Sequence, residues 1–270
     1  MNANKALWEK GDFTKVAAAM RESGEALVGE LDLRPGMAVL DLGCGDGTTA
    51  LPAAQRGANV LGVDIAENLV AAGNARAAAA GLDNLRFQVG DASDLQDLRD
   101  ESFDLVVSIF GAMFAPRPDD VAREMARVTR SGGRIVMGNW IPGDPTLIAQ
   151  VLKISGAYTP PPPENFVSPV SWGVDDTVRE RFGQAGVPSE NIACERATYV
   201  FRYPAPPLEL LKMFKSYYGP TMNAFEAASK DGRAGRLEDE LTRLFEAHNR
   251  AGPEQTEIPA TFLKVTVTKP

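Results

Sequence analysis

Three glycines at alternate positions, Gly43, Gly45 and Gly47, follow the apolar run Met37 to Leu42, and Asp41 stands two residues before the first of them. Thr48-Thr49-Ala50-Leu51 then suits the opening of a helix. A short buried strand, a glycine turn and a helix make the first half of a nucleotide-binding βαβ unit. The chemistry is that of close approach. A tight turn asks for φ angles that a side chain resists, and a ligand lying on it meets bare backbone, while the N–H groups of the following helix face an anion. The spacing narrows the choice. A dinucleotide loop reads G-x-G-x-x-G, and its third glycine, counted from Gly43, falls at position 48, which is Thr48. For the loop taken alone, a flavin or NAD site with an irregular loop and a structural turn stay open.

Two further acids follow later apolar runs. Asp64 closes Asn59-Val60-Leu61-Gly62-Val63-Asp64, and Asp91-Ala92 follow Leu85-Arg86-Phe87-Gln88-Val89-Gly90. Asp41, the G-x-G-x-G loop, Asp64 and Asp91, in that order, resemble the class I S-adenosylmethionine (SAM) dependent methyltransferases. The resemblance covers residues 36–140 and includes the Phe103-Asp104 pair that opens the fourth strand and the Ser131-Gly132-Gly133 turn before the fifth. In general layout it resembles the ubiquinone/menaquinone-type subgroup, including the N-terminal Trp8 and Gly11-Asp12-Phe13 stretch.

The resemblance implies a set of roles. Gly43, Cys44, Gly45 and Gly47 wrap the methionine half of SAM, and Asp41 reaches its amino group or an ordered water. Asp64 accepts hydrogen bonds from both ribose hydroxyls, a task suited to a carboxylate, and Ile65 packs on the adenine. Asp91 takes the adenine amino group, and the Ala92 backbone N–H reads a ring nitrogen. The end of strand four, Ser108 to Phe114, faces the methyl-donor centre, with Ser108 on the cofactor side. Phe110, Met113 and Phe114 then line the acceptor pocket with Phe13, Trp140, Tyr217 and Tyr218, core packing being the other reading of Met113 and Phe114. Trp8 or Phe13 folds over the pocket, where a ring against the sulfonium makes a cation–π contact, or the two rings simply anchor the first helix to the core. The Asn/Asp-Pro-Pro-Tyr/Phe motif of DNA and protein amino-methyltransferases does not follow strand four. The acceptor expected is therefore a small molecule with an apolar part, quinone-like, phenolic or polyketide-like, methylated on oxygen or carbon.

Elements must position these residues. The expected fold is α/β: a Rossmann-like, doubly wound, seven-stranded sheet, mostly parallel with an antiparallel last strand, carrying an N-terminal helical lid and a helical cap insertion. Residues 1–35 form the lid, with helical periodicity over 5–30 from Phe13, Val16, Met20, Leu27 and Val28. Residues 36–140 form the SAM-binding core. Residues 141–203 hold substrate-side loops, helices near 144–157 and 174–182, four consecutive prolines from Pro160, and strand six at Ile192–Tyr203. Residues 204–258 form the cap, with helices over Leu208–Phe214 and Arg233–Arg250. Residues 259–270 hold the terminal strand, whose alternation runs through Phe262, Lys264 and Thr266. A homodimer interface is the rival use of the insertion.

Composition sets the limits. The 270 residues are 44% hydrophobic and 24% charged, with a net charge of −8. A nucleic-acid binder usually shows a basic stripe, and none is visible, so no nucleic-acid partner is expected. Cys44 and Cys194 are too far apart in sequence to suggest a disulfide framework or zinc site, and no metal site is expected. No apolar stretch is long enough to span a bilayer, and the N-terminal residues lack an apolar signal core. A cytoplasmic protein is expected.

Methyl transfer from SAM is an in-line displacement with a neutral leaving group, so positioning and a dry pocket suffice. A base helps only where the acceptor must lose a proton. The sole histidine, His248, is the candidate base, with a surface histidine as the bland alternative. A non-catalytic SAM- or S-adenosylhomocysteine (SAH) binding protein and an NAD-dependent oxidoreductase are the competing classes.

Overall fold

The structure, a computed structural model, describes residues 3–270. Short apolar runs alternate with helices from Ala38 onward: β1 (Ala38–Leu42), α4 (Ala50–Gln55), β2 (Asn59–Asp64), α5 (Glu67–Ala79), β3 (Leu85–Val89), β4 (Phe103–Ile109), α6 (Pro118–Val128) and β5 (Thr129–Trp140). Helices on both faces bury the parallel strands, which is why β1 and β4 read as nearly unbroken apolar sequence. The sheet order is β3-β2-β1-β4-β5-β7-β6, with β6 at Ile192–Tyr203 and β7 at Thr256–Thr268. β1 to β5 run parallel, and β7 inserts antiparallel between β5 and β6. The expected Rossmann-like seven-stranded sheet is the one formed. Strand order reverses at β1, so the crevice beyond the C-terminal ends of β1 and β4 is where such sheets take a ligand.

Three helices precede the sheet: α1 (Ala3–Glu9), α2 (Phe13–Ala17) and α3 (Arg21–Gly29), with a single 3₁₀ turn at Ala18–Met20. Periodicity over 5–30 implies helix throughout, but the chain breaks at Gly11-Asp12. A Cβ on Gly11 would stand 2.5 Å from the Tyr217 carbonyl oxygen, so only glycine allows that approach. Asp12 then caps α2 by accepting from the Thr14 N–H.

On the same side lie α7 (Leu147–Tyr158), α9 (Pro207–Tyr217), α10 (Gly219–Lys230) and α11 (Ala234–His248), while α8 (Asp175–Gln184) packs against α6. α10 has no counterpart in the periodicity reading. Its Gly219-Pro220 start looks like a breaker, yet proline is well suited to the first turn of a helix. β5 also begins earlier than its apolar run, at Thr129. The Thr129 hydroxyl donates to the Met125 carbonyl at 2.7 Å, so the chain passes from helix straight into strand.

The β3–β4 connection forms no helix. Arg127 of α6 holds it instead, donating to the carbonyls of Leu95 and Leu98 at 2.8 Å each. Among the described residues no helix is long and apolar enough to cross a membrane.

A close backbone approach in the core joins the glycine turn to the chain leaving β4. A Cβ on Gly111 would stand 2.2 Å from the Gly43 carbonyl oxygen, and one on Gly43 would stand 2.6 Å from the Gly111 Cα. Gly111→Ala is therefore expected to lower stability by about 1–3 kcal/mol or more. Gly156→Ala, in α7 with open space around the new methyl, should be neutral or stabilising by up to about 1 kcal/mol. Urea unfolding of the two variants checks the contrast.

Candidate functional site

Gly43, Gly45 and Gly47 all have positive φ, at +69°, +55° and +92°. Their reasons for lacking a side chain differ. Gly43 abuts Gly111, and a Cβ on Gly47 would strike Leu51 and Phe87. A Cβ on Gly45 would touch nothing within 4 Å. Its bare backbone faces a cavity of about 900 Å³, open mouth included, at the C-terminal ends of β1, β2 and β4.

Asp64 ties this turn to β2. Its Oδ2 accepts from the Gly45 N–H at 2.8 Å and its Oδ1 from the Ala66 N–H at 2.9 Å. Each oxygen keeps lone-pair capacity toward the cavity. Burial raises the Asp64 pKa, and the backbone N–H donors work against that rise.

Asp41 is 2% exposed, and its Oδ2 has no partner among the described residues. Burial and then the nearby Asp64 carboxylate push its pKa up to about 8, against the Ala50 N–H that favours ionisation. An unpartnered buried carboxylate is a costly feature in a free protein, and a cation would relieve it. Burial and Asp64 also raise the Cys44 thiol well above its usual range, which leaves a neutral small residue in the wall.

The third acid of the turn region is compensated. Asp46, also 2% exposed, pairs with Arg21 of α3 and lies 3.5 Å from Arg76 of α5. Arg21 also donates to the Thr48 hydroxyl. The N-terminal segment is thus bonded to the glycine turn from above. Tyr199 of β6 borders the same cavity and donates to the Met20 carbonyl at 3.0 Å.

Asp91 lies at the far end of the cavity with Gly90 and Ala92. Its Oδ1 accepts from the Ser93 N–H and hydroxyl at 2.9 and 2.6 Å, and its Oδ2 is 4.0 Å from Arg117.

A second, smaller chamber of about 310 Å³, open mouth included, adjoins the first and shares Trp8, Phe13, Met20 and Phe110 with it. Its remaining lining is apolar or aromatic and includes Phe114, Trp140, Phe201, Phe214 and Tyr218. Phe110 stands at the junction. Its φ is +61°, an uncommon state for a residue with a side chain. Its ring stacks on Trp140 with centroids 3.7 Å apart and planes at 9°, and the Tyr199 and Phe262 rings meet it edge-on.

The residues singled out from the sequence divide as follows. Asp41, Gly43, Cys44, Gly45, Asp64, Ile65, Asp91 and Ala92 line the larger cavity. Phe13 and Phe110 line both chambers, and Phe114, Trp140 and Tyr218 line the smaller one. Gly47 and Ser108 sit behind the wall. The Ser108 hydroxyl donates to the Leu42 carbonyl at 2.5 Å and accepts from the Ala112 N–H at 2.9 Å, holding the turn after β4. Met113 is packed in the core at 1% exposure, and Tyr217 meets Gly11 through its carbonyl.

His248 is at neither chamber. Its ring nitrogens face the Leu244 and Pro145 carbonyl oxygens, each at 2.9 Å, at the end of α11. Both nitrogens are engaged by backbone, so a role as base to an acceptor in these chambers is withdrawn. Arg21, Asp46, Met20 and Tyr199 were not anticipated. Asp46 is inside the glycine turn and was open to notice. Tyr199 and Phe201 alternate along β6, a signal for one shared face.

The Asp41 environment gives a stability test. Its raised folded pKa means that the native state binds the proton more tightly than the unfolded chain, so stability falls as pH rises from about 4 to about 8. The cost is fully present above that window. Asp41→Asn should therefore melt higher than the parent at pH 9, with the advantage shrinking toward pH 4. Thermal melts across pH check the sign.

Comparisons with known proteins agree with this geometry. Residues 40–137 match the family model described as a methyltransferase domain. Uncharacterized protein Rv1403c of Mycobacterium tuberculosis is 34% identical over 89% of this chain and 86% of its own length. Nocamycin O-methyltransferase of Saccharothrix syringae is 38% identical over 45% of this chain and 44% of its own. Among solved structures, YcgJ of Bacillus subtilis superposes with a TM-score of 0.59 at 20% identity, covering 92% of this chain and 99% of that one. Phosphoethanolamine N-methyltransferase 2 of Haemonchus contortus, in complex with SAM, gives a TM-score of 0.61 at 15% identity, covering 100% of this chain and 61% of that one. These two share the fold. With the motif order, the strand order and the matched domain all in agreement, the chain belongs to the class I SAM-dependent methyltransferases.

Proposed function

We propose that this protein transfers a methyl group from SAM to a small, partly apolar acceptor, at oxygen or carbon. The observation that supports the reading is the pair of joined chambers. One is walled by acids and bare glycine backbone, the other by hydrocarbon, and they meet at Trp8, Phe13, Met20 and Phe110.

The larger chamber suits SAM on three counts. Gly45 leaves open space before its backbone. The Asp41 carboxylate is buried with one oxygen unpartnered, as an amino cation would require. Asp64 and Asp91 offer acceptors for ribose hydroxyls and an adenine amine at separate places along the same cavity. Bound there, SAM supplies a methyl carbon activated by a sulfonium that departs as a neutral thioether. The Trp8 and Phe13 rings at the junction offer that sulfonium aromatic faces.

The smaller chamber bounds the acceptor. Among its described lining residues the single titratable side chain is Tyr218, whose pKa burial raises, so it stays neutral. Nothing there takes a proton strongly. An acceptor that ionises readily, such as a phenol or enol, or one that attacks through the carbon of its enolate, needs no such help. A protonated amine would lose its hydration against these walls, which disfavours N-methylation. The resemblance to nocamycin O-methyltransferase points the same way. We assign the reaction to the cytoplasm, where the donor is made.

Calorimetric titration with SAM, SAH and NAD tests the cofactor. SAM or SAH should bind in the micromolar range, and Asp64→Ala should weaken binding at least tenfold. At pH 7, SAM binding should release a proton, because Asp41 is mostly protonated in the free protein and ionised against the bound cation. Buffers of different ionisation heat read that release directly. Binding of NAD with none of SAM or SAH would overturn the reading.

Turnover of substituted phenols and enols, followed as SAH formation, separates an enzyme from a binding protein. The rate should rise with pH through each acceptor's own pKa, and His248→Ala should leave the profile unchanged. A profile fixed across acceptors would mean that the protein supplies the base.

A further inference from the structure

The aromatic wall of the smaller chamber contains one hydroxyl. Tyr218 is 5% exposed at the junction of α9 and α10, and its ring lines the chamber. The ring is fixed by Phe214 at 5.3 Å, Trp8 at 6.0 Å and Phe13 at 6.1 Å, centroid to centroid. Its backbone is fixed as well, with the N–H donating to the Phe214 carbonyl and the carbonyl accepting from the Met222 N–H. The hydroxyl itself has no hydrogen-bond partner among the described residues. The Trp8 indole N–H, by contrast, is used by Asn4 at 3.2 Å. Tyr218 borders the smaller chamber and not the larger one.

We propose that the Tyr218 hydroxyl selects and orients the acceptor, by hydrogen bonding to an oxygen on the part of it that lies away from the methyl donor. This rests on the smaller chamber being the acceptor site. An apolar guest displaces the water that would otherwise satisfy the hydroxyl, and a buried hydroxyl left unpaired costs more than the bond is worth when made. A guest that places an oxygen there avoids the cost, and an isostere without one does not. The acceptor class that follows is a planar molecule with two oxygens, or an oxygen and a nucleophilic carbon. One atom reaches the junction at Phe110, and the other is held at Tyr218. The Tyr218 oxygen is an anchor and not a base, because burial raises its pKa and keeps the proton in place.

The test uses 2-naphthol and 2-methylnaphthalene, which have nearly the same shape and differ in the hydroxyl. Equilibrium dialysis against the SAH-loaded protein measures both, in the parent and in Tyr218→Phe. The parent is expected to prefer 2-naphthol by roughly threefold to tenfold, the worth of one net hydrogen bond. Tyr218→Phe should lose that preference while binding 2-methylnaphthalene at least as tightly as the parent, since no hydroxyl is then left unpaired, which also shows that the variant keeps its chamber. A merely structural role for Tyr218 would weaken both probes together.

Equal binding of the two probes by the parent would overturn the role of Tyr218 while leaving the chamber as an aromatic site. So would a preference that survives in Tyr218→Phe, which would move the anchoring role to the Trp140 indole N–H. Binding of neither probe by the parent would overturn the acceptor-site reading itself, and the proposal with it.

Discussion

The site depends on one backbone contact. Gly43, the first residue of the turn after β1, lies against Gly111, the second residue beyond β4, with no room for a side chain on either. Strands β1 and β4 are neighbours in the sheet, so the chains leaving them would compete for the same space above its edge. Two facing glycines let both turns occupy it. The chain leaving β4 then turns at once, and Phe110 adopts its positive φ. Strain of that kind costs on the order of 1–3 kcal/mol and persists only where surrounding packing over-determines it. Here the packing is the Phe110–Trp140 stack together with the Tyr199 and Phe262 edges. The strained residue is also the partition between the two chambers.

Around that fixed floor, the walls come from distant parts of the chain. The N-terminal helices reach the core through Lys5 and Glu9, both bonded to Glu67 at the start of α5. They reach the helices of 204–258 through Lys10, which meets Asn223 and Glu226. Gly11 and Gly219 allow the two segments to touch backbone to backbone, against the Tyr217 and Leu7 carbonyls. Most of these ion pairs are solvent-exposed, and α1 buries none of its residues. Exposed pairs contribute little each. The cover over the chambers is therefore held mainly by the aromatic cluster of Trp8, Phe13, Phe114 and Tyr218.

Charge is arranged with the same economy. Three acids, Asp41, Asp46 and Asp64, are buried within a few residues of the glycine turn. Asp46 is neutralised by Arg21 and Arg76, and Asp64 by backbone N–H groups. Among the described residues both Asp41 and Asp46 keep one oxygen without a hydrogen-bond partner, but Asp46 is ion-paired and Asp41 is not. A buried acid left in that state holds its proton in the free protein, and ionising it against a cation turns the site's field into affinity for that cation.

What the sequence by itself determined is local. The order Asp41, Gly43, Gly45, Gly47, Asp64, Asp91 identified the family and the cofactor side, because strand ends and turn geometry depend on residues adjacent in the chain. Strand six was legible to its limits, Ile192 to Tyr203. Boundaries set by capping and packing were not. The break at Gly11, the start of α10 at Gly219 and the early start of β5 each follow from a contact with a remote element or from a single side-chain bond. Tertiary structure alone decided the rest. Arg21 reaches Asp46 across 25 positions, and Tyr199 reaches Met20 across 179. His248 looked eligible by residue type and proved to be held by two carbonyls away from the chambers. Long-range contacts of this sort arise from packing once the sheet has formed, and residue type and spacing along the chain do not encode them.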